Sequence, residues 1–511
     1  MYAKTNGATT LGVDGLLIDV EVDAASGLPA FDIVGLPDTA VRESKERVRT
    51  AIRNAGYSVP QEKVTINLAP ADIRKDSSGL DLPIAVGLLA AYGIIAQKAL
   101  EGALFAAELS LEGECRPVCG VLPMAIRARD AGLKAFFVAP ENANEALLVE
   151  GLKVYAVSNL TQLVHFLTGK VKIEPTTAEP VEEHETTSYS DDFADVAGQF
   201  VAKRALEIAA AGGHNVLLVG VPGAGKTMLA RRLGSILPPL TREEALEVTK
   251  IYSIAGLLPS RGGLVRQRPF RSPHHTTSTA AMIGGGSIPH PGEVTLAHHG
   301  VLFLDELPEF QKSTLEVLRQ PLEDGFVTVS RVHATLKFPS SMILVAALNP
   351  CPCGYYGDES HSHECNCTPN EIRRYMRKIS GPLLDRIDIH IRVPRVKYDE
   401  LTAQKKAESS AEIRERVVAA REVQLRRFAG TGIFCNAQMN HRLLQLTCPM
   451  KKDAHALLRE AFRNLGLSAR SHDRIIKVAR TIADLAHSEQ IEAVHVAEAI
   501  QLRNDVGLHV E

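Results

Sequence analysis

The stretch Asn215–Thr227, NVLLVGVPGAGKT, joins a short apolar run of β type to a glycine-rich loop that ends in Lys-Thr. It reads as a strand feeding a phosphate loop, with the helix MLARRLGSIL behind it. Gly220, Gly223 and Gly225 allow the tight turn that converges backbone N–H groups on a β-phosphate, at the positive end of that helix. Lys226 is placed to reach the β- and γ-phosphates, and the Thr227 hydroxyl to bind Mg²⁺. Gly220, Val221, Pro222, Gly223, Ala224, Gly225, Lys226 and Thr227 are therefore the expected ATP cradle; the plainer reading is a glycine-rich turn between a buried strand and a helix.

Hydrolysis needs more than a cradle. Val301 to Glu306, VLFLDE, is an apolar run ending in two carboxylates, a pattern that puts Asp305 on the Mg²⁺ shell and leaves Glu306 to polarise the attacking water. A further apolar run, MILVAALN, ends in Asn349. Its amide suits holding that water in line, or equally capping a turn.

A chain of 511 residues, 45% hydrophobic and 23% charged, has the composition of a soluble globular protein of two to four domains. Its N-terminus lacks a basic region followed by an apolar one, and no stretch nears about eighteen unbroken apolar residues, so a cytoplasmic protein is expected. The net charge of −3 is unevenly spread: residues 196–511 carry 40 basic against 32 acidic side chains. That excess suits a polyanionic partner or Arg-lined subunit contacts.

Residues 1–170 alternate short strands and helices, from FDIVGLP through the charged helix VRESKERVRTAIRNAG to VYAVSNLTQLVHFL, an α/β or α+β domain of its own. Order and phrasing resemble the proteolytic domain of Lon-type proteases, whose nucleophilic Ser and partner Lys lie in a KDGPSAG-like loop and a PIGGLKEK-like helix start. The corresponding strings are KDSSGLD, from Lys75 to Asp81, and PVCGVL, from Pro117 to Leu122. Gly79 stands where the nucleophile should be and Leu122 where the Lys should be. The resemblance therefore implies a retained fold without peptidase chemistry, with Ser77 or Ser78 the remaining nucleophile candidates and no evident base.

Residues 171–192, VKIEPTTAEPVEEHETTSYSDD, are acidic and nearly free of apolar side chains, the composition of a linker. Between the phosphate-loop helix and the acidic strand lie about sixty residues, against the two to six usual in α/β connections, so an insertion is implied. Within it SRGGLVRQRPFRSPHH, from Ser260 to His275, offers Arg261, Arg266, Arg268 and Arg271 with Phe270, His274 and His275. Those residues suit phosphate-backbone contact, or a solvated loop or subunit contact. A helix, STLEVLRQPLEDG, is expected after Glu306. FVTVSRVHATLKFP then reads as a hairpin turning around Ser330 to His333.

Cys351, Cys353, Cys365 and Cys367, half of the eight cysteines, fall within seventeen residues. In a reducing compartment such clustering argues for metal, and four soft thiolates suit tetrahedral Zn²⁺, with His361 or His363 as a substitute ligand. The C-x-C spacing leaves an iron–sulfur cluster or free thiols open. Cys115 and Cys119 read as simple core or loop thiols. RRYMRK, from Arg373 to Lys378, makes a basic helix beside the cluster, and everything from 396 onward is helical in pattern.

Several strings resemble AAA+ proteins of the magnesium-chelatase type. Gly198, Gln199, His214 and Asn215 fall where such proteins place adenine and ribose contacts, or serve as caps and turns. SGPLLDRID, from Ser380 to Asp388, resembles the LLDRFD-like loop that carries an arginine finger, which makes Arg386 the trans-acting candidate unless it merely pairs with Asp385 or Asp388. LSARSHDR, from Leu467 to Arg474, resembles the lid entry in which Arg470 would be sensor 2. Taken together, these features resemble the ComM/YifB family of magnesium-chelatase-like AAA+ proteins along essentially the whole chain.

The fold so implied is α/β: a Lon-protease-like domain over 1–170 (peptidase-inactive), an acidic flexible linker over 171–192, a P-loop AAA+ core with the Cys cluster over 193–395, and a helical C-terminal lid over 396–511. The implied activity is that of a homo-hexameric ATPase and helicase that moves single-stranded or branched DNA, promoting branch migration in natural transformation, with ATP, Mg²⁺ and Zn²⁺ as cofactors. Two other classes remain. A metal-chelatase motor generally lacks the Lon-like domain and the Cys cluster, and a protein unfoldase is expected to show an aromatic-hydrophobic-Gly pore loop where this chain has Arg and His.

Overall fold

The chain begins with two long strands, β1 (Tyr2–Leu11) and β2 (Asp14–Ala25), joined antiparallel around Gly12, whose φ of +64° suits glycine. Regular structure is expected only from FDIVGLP onward, so this pair lies ahead of the first strand that the sequence pattern suggests. The computed structural model describes all residues of the chain except 59, 61, 76, 178–190, 260–262, 287–288, 332–333, 358–363, 397–407, 465–467 and 505–511. Asp76, most of the expected linker, Ser260, Arg261, Gly262, Val332, His333, His361, His363 and Leu467 thus lie outside the described residues, as does the side chain of Arg331.

Behind the first pair come β3 (Ala30–Val34), α1 (Thr39–Asn54), β4 (Lys63–Ala69), α2 (Asp81–Ala91), β5 (Ala103–Ala106), α3 (Val121–Asp130), β6 (Ala135–Val138), α4 (Pro140–Ala146), β7 (Lys153–Ala156) and α5 (Leu160–Leu167). The strands form one mixed sheet in the order β3-β4-β2-β1-β5-β6-β7. Helix α2, DLPIAVGLLAA, is apolar on every side and is accordingly buried almost throughout. In the protease-like strings, Gly79 and Leu122 are both buried. Lys75, the base nearest Ser77 in sequence, is itself buried and donates to the Gly35 and Pro70 carbonyls; burial lowers its pKa.

The second sheet is built from β8 (Val216–Gly220), β9 (Phe270–Arg271), β10 (Val301–Leu304), β13 (Ile343–Leu348) and β14 (Ile389–Val393), all parallel, in the order β9-β10-β13-β8-β14. A separate hairpin, β11 (Phe326–Arg331) with β12 (Ala334–Pro339), precedes β13, as its alternating pattern predicts. Strands β8, β10 and β13 are buried along their whole length, which is why they read as unbroken apolar runs. Their C-terminal ends share one edge, the place where open parallel sheets bind ligands. Helices α6 (Phe200–Gly212), α7 (Lys226–Ile236), α8 (Arg242–Ile254) and α9 (Pro369–Met376) complete this part.

The stretch expected as one helix after Glu306 is instead two short ones, Lys312–Glu316 and Arg319–Asp324. Pro321 has no N–H and is tolerated only in a helix's first turn, so the break falls just before it.

Helices α10 (Ser410–Arg427), α11 (His441–Thr447), α12 (Lys452–Asn464), α13 (Ala469–Leu485) and α14 (Ala493–Asn504) follow. They have no core to themselves. Ile413, Val417, Ile475, Val478 and Ile482 share one apolar cluster with Val216, Leu218, Val345 and Ile391 of the parallel sheet.

The N-terminal sheet docks on the insertion and on the β11–β12 hairpin. Gly12 faces Leu336 of β12, and Val13 joins the cluster of Val327, Val329 and Phe338. Asp14 pairs with Lys250 of α8 at 3.0 Å, and the Gly120 N–H donates to the Ser253 carbonyl at 3.2 Å. Glu145 accepts from the Ser253 hydroxyl and from the Leu122 N–H at 2.7 Å, while burial raises its pKa. Among the described residues, no helix is long and apolar enough to cross a membrane.

Candidate active site

Strand β8 delivers the phosphate loop to the C-terminal edge of the sheet. Gly223 and Gly225 take φ of +77° and +88°, values that a side chain would strain. Lys226 opens α7 and is buried; its ammonium donates to the Gly220 carbonyl at 2.8 Å, the Val221 carbonyl at 3.0 Å and Asn349 Oδ1 at 3.0 Å. Burial pulls its pKa below the ordinary lysine value, while the carboxylates of Asp305 and Glu306 pull the other way. The Thr227 hydroxyl donates to Asp305 at 2.7 Å, so the two oxygens that would share Mg²⁺ stand side by side. Glu306 sits at φ +51°, a conformation rare for a residue with a side chain, and its carboxylate is exposed.

Lys226, Thr227, Asp305, Glu306 and Asn349 are thus brought to one place. His275, expected with the insertion's arginines at a phosphate backbone, joins them, its Nδ1 3.8 Å from the Glu306 carboxylate. Gln199 is also here: its amide N–H groups donate to the carbonyls of Pro394 at 2.7 Å and Ala224 at 3.3 Å, while its Oε1 is buried with no partner among the described residues.

His214 and Asn215, expected at the nucleotide's base and sugar, are at the wrong end of β8. Five residues of strand, about 16 Å, separate them from the phosphate loop. His214 bonds Thr481 at 2.8 Å. Asn215 donates to the Arg386 carbonyl at 3.1 Å and accepts from the Leu344 N–H at 2.8 Å.

Arg386 belongs to this far edge, just ahead of β14. Its guanidinium is buried, donates to the Pro382 carbonyl at 2.8 Å and pairs with Glu323, not with Asp385 or Asp388; its Nε has no partner among the described residues. The structure places Arg470 beside it, not over the chain's own phosphate loop. Both line a cleft of about 780 Å³ with Glu323, Arg474 and Lys477. Asp388 ties the far edge to the helices. Burial pushes its carboxyl up, yet Arg474 and His214 hold it well below the usual carboxylate range. Arg474 also donates to the Arg386 carbonyl at 2.9 Å, and Arg503 to that of Ile387 at 2.9 Å.

Two of the insertion's arginines, Arg268 and Arg271, are engaged inside the protein and not free to grip phosphate, while Arg266 is exposed and Arg261 lies outside the described residues. Arg268 donates to Glu244 at 2.9 Å and to the carbonyls of Pro238, Pro239 and His299, and Arg271 forms a fork with both oxygens of Glu293 at 2.7 and 2.8 Å. They act as internal ties. Arg268→Ala would strand the largely buried Glu244, at a cost of about 3 kcal/mol or more. A clear fall in melting temperature is the expected result, and an unchanged melting curve would refute the tie.

Two clusters have the donors of a metal site. In the first, Glu247, His298 and His299 converge, with the histidine Nε2 atoms 3.1 and 2.8 Å from one carboxylate oxygen. The Ser341 N–H donates to His298 Nδ1 at 3.0 Å, so a neutral His298 must carry its proton on Nε2 and donate it to Glu247; that nitrogen is not a ligand. The second is different. Sγ atoms of Cys351, Cys353 and Cys365 lie 3.2, 3.5 and 3.7 Å apart, and all four thiols fall within 4.8 Å of one another. A tetrahedral thiolate site with bonds of about 2.3 Å needs sulfurs about 3.8 Å apart. The N–H groups of Gly354 and Tyr356 donate to Cys351 Sγ, as a thiolate ligand requires of its surroundings.

Family models cover most of the chain. One described as "Magnesium chelatase, subunit ChlI" matches residues 192–401, "Subunit ChlI of Mg-chelatase" matches 20–142, and "Magnesium chelatase, subunit ChlI C-terminal" matches 407–503. The uncharacterized protein YifB of Salmonella typhimurium is 45% identical over 496 residues, covering 96% of this chain and 95% of its own. The competence protein ComM of Haemophilus influenzae is 44% identical over 98% of this chain and 97% of its own. Similarity to the magnesium-chelatase 67 kDa subunit of Chlorobaculum parvum, 28% identical, extends over 31% of this chain and 23% of that one.

Proposed function

Since the chain belongs to the ComM/YifB family of magnesium-chelatase-like AAA+ proteins, we propose that it is a DNA motor, an ATPase working as a homo-hexameric ring on single-stranded or branched DNA. The observation that carries the ring is the split site. Lys226, Thr227, Asp305, Glu306 and Asn349 meet at one edge of the parallel sheet, while Arg386 and Arg470 stand at the opposite edge, where only a neighbour's nucleotide is within reach. ATP binds the cradle with Mg²⁺ on Thr227 and Asp305, and Gln199 Oε1 accepts from the adenine amino group. Zn²⁺ fits the four thiolates. Residues 1–170 form a Lon-like domain without peptidase chemistry, 171–192 a linker, 193–395 the core and 396–511 a lid, all in the cytoplasm.

Nucleic acid is favoured as the moved polymer by the relative named for competence and by α9, which turns Arg373 and Arg374 outward, with Arg377 exposed at its C-cap, and buries Ile372 and Tyr375. ATP hydrolysis should therefore rise several-fold with forked single-stranded DNA and not with unfolded protein. Replacing Arg373, Arg374 and Arg377 together by Ala should abolish that rise and reduce the salt slope of DNA binding by about 0.7 to 0.9 for each lost phosphate contact. Stimulation by unfolded polypeptide in place of DNA would refute the motor, and a triple variant with unchanged salt slope would refute the role of α9.

A further inference from the structure

The segment from Asn349 to Gly357 leaves the end of β13 and crosses the C-terminal edge of the sheet, past the phosphate loop, to β14. Four contacts mark its course. Asn349 holds the Lys226 ammonium at 3.0 Å. Gly354, at φ +90°, lies so close to the phosphate loop that a methyl group on it would stand 2.7 Å from the ring of Pro222. Tyr355 lies beneath the Arg395 guanidinium at 5.5 Å, and the Gly357 carbonyl accepts from Arg392. The segment is thus a wall of the nucleotide site, and Cys351 and Cys353 are set within it.

A wall of this kind has no regular structure of its own to hold it. From Asn349 to Gly357 the chain runs through bends and turns, with no strand or helix. Cys351 is fully buried, two residues from Asn349, and Cys353 immediately precedes Gly354. Cys365 and Cys367 approach from the segment that leads into α9, whose start is fixed by a capping box of Thr368 with Glu371. Four thiolates closing on one ion would pin the wall at its middle to the start of that helix. With all four positions filled by protein, such a site has no open place for chemistry.

We propose that a soft divalent cation, zinc by the chemistry of its donors, is a strut of the nucleotide pocket: held by Cys351, Cys353, Cys365 and Cys367, it keeps Gly354 against Pro222 and Asn349 against Lys226, so that nucleotide affinity depends on metal occupancy. The inference rests on the ATP-site reading and goes beyond it. Its effect falls on binding, because a wall that must be ordered when the ligand arrives charges that ordering against affinity.

The test uses the full chain and reads binding, not turnover. Zinc per chain is measured by elemental analysis, and the affinity for a fluorescent ATP analogue with excess Mg²⁺ is measured by anisotropy on protein as purified, stripped by chelation, and resupplied with ZnCl₂. About one zinc per chain is expected, with affinity falling about tenfold on stripping and returning with ZnCl₂ but not with Mg²⁺ alone. Gly354→Ala, which keeps all four thiols, should retain its zinc and still bind nucleotide more weakly. Protein without stoichiometric zinc, stripped protein with undiminished affinity, or Gly354→Ala with native affinity would each overturn the strut. Metal-loaded protein that binds no nucleotide at all would instead overturn the ATP-site reading itself.

Discussion

Replacing Glu306 by Gln will lower ATP turnover by about 10²- to 10⁴-fold while leaving ATP bound. The reason lies in how the two carboxylates are separated. Asp305 is committed to Thr227 at 2.7 Å, on the side where Mg²⁺ belongs, and accepts the Glu306 N–H at 3.0 Å. Glu306 is turned out of that cluster by its left-handed backbone, and its exposed carboxylate is available to a water. An amide at 306 preserves size and leaves the cation site untouched but accepts no proton. Lys226→Ala should fail at an earlier step, losing the nucleotide itself, since the ammonium and its three oxygen partners are the floor of the cradle. The measurement is single-turnover hydrolysis beside equilibrium nucleotide binding, and a Glu306→Gln protein that hydrolyses ATP at the native rate would end the assignment.

Arg386→Ala should be as severe and different in kind, with hydrolysis lost by about 10³-fold or more and each subunit's own nucleotide binding retained. Arg386 stands a strand's length from its own cradle, so in the proposed ring the charge lost with it would be missing from a neighbour's site. That predicts complementation. Mixing Arg386→Ala subunits with Lys226→Ala subunits creates interfaces in which an intact cradle meets an intact finger, and hydrolysis should return where neither variant alone has any. A mixture that stays inactive, although mixed rings are shown to form, would rule out action between subunits. The pair with Glu323 also has to open before the guanidinium can reach a phosphate. Glu323→Gln should therefore leave hydrolysis intact or raise it.

The phosphate loop, the acidic strand end, Asn349 and the cysteine set were legible in the sequence because each depends on residues close together in the chain. Three of the five parallel strands, β8, β10 and β13, were legible for the same reason, as short apolar runs, whereas β9 (Phe270–Arg271) and β14 (IHIRV) carry no such run. What was lost depends on distance. Arg268 and Arg271 looked like phosphate contacts because Glu244 and Glu293, their partners, are 24 and 22 residues away. His275 gave no sign of lying beside Glu306, thirty-one residues on. His214 and Asn215 adjoin the phosphate-loop strand in sequence, yet the length of that strand separates its two ends, and they fell at the end away from the phosphate loop. The first strand was overlooked because Gly and Thr break the alternation of YAKTNGATTL, whereas the second was legible and missed: IDVEVDA alternates, with Ile18, Val20, Val22 and Ala24 buried.

The contact between the N-terminal sheet and α8 has a consequence for how the protein is made. The last helix of the first sheet ends at Leu167 and α8 at Ile254. At a synthesis rate of about 5–20 residues per second, the intervening stretch takes roughly 4–18 s to leave the ribosome. For that interval the face that carries Asp14, Gly120 and Glu145 lacks its partners on α8, and Glu145 has the Leu122 N–H and the Asn142 amide on its own side as donors. Only when Ser253 emerges does that carboxylate gain its hydroxyl partner. Asp14, Glu145 and Glu150 thus give this face of the growing chain a negative charge that awaits Lys250, Ser253 and Arg242 of α8.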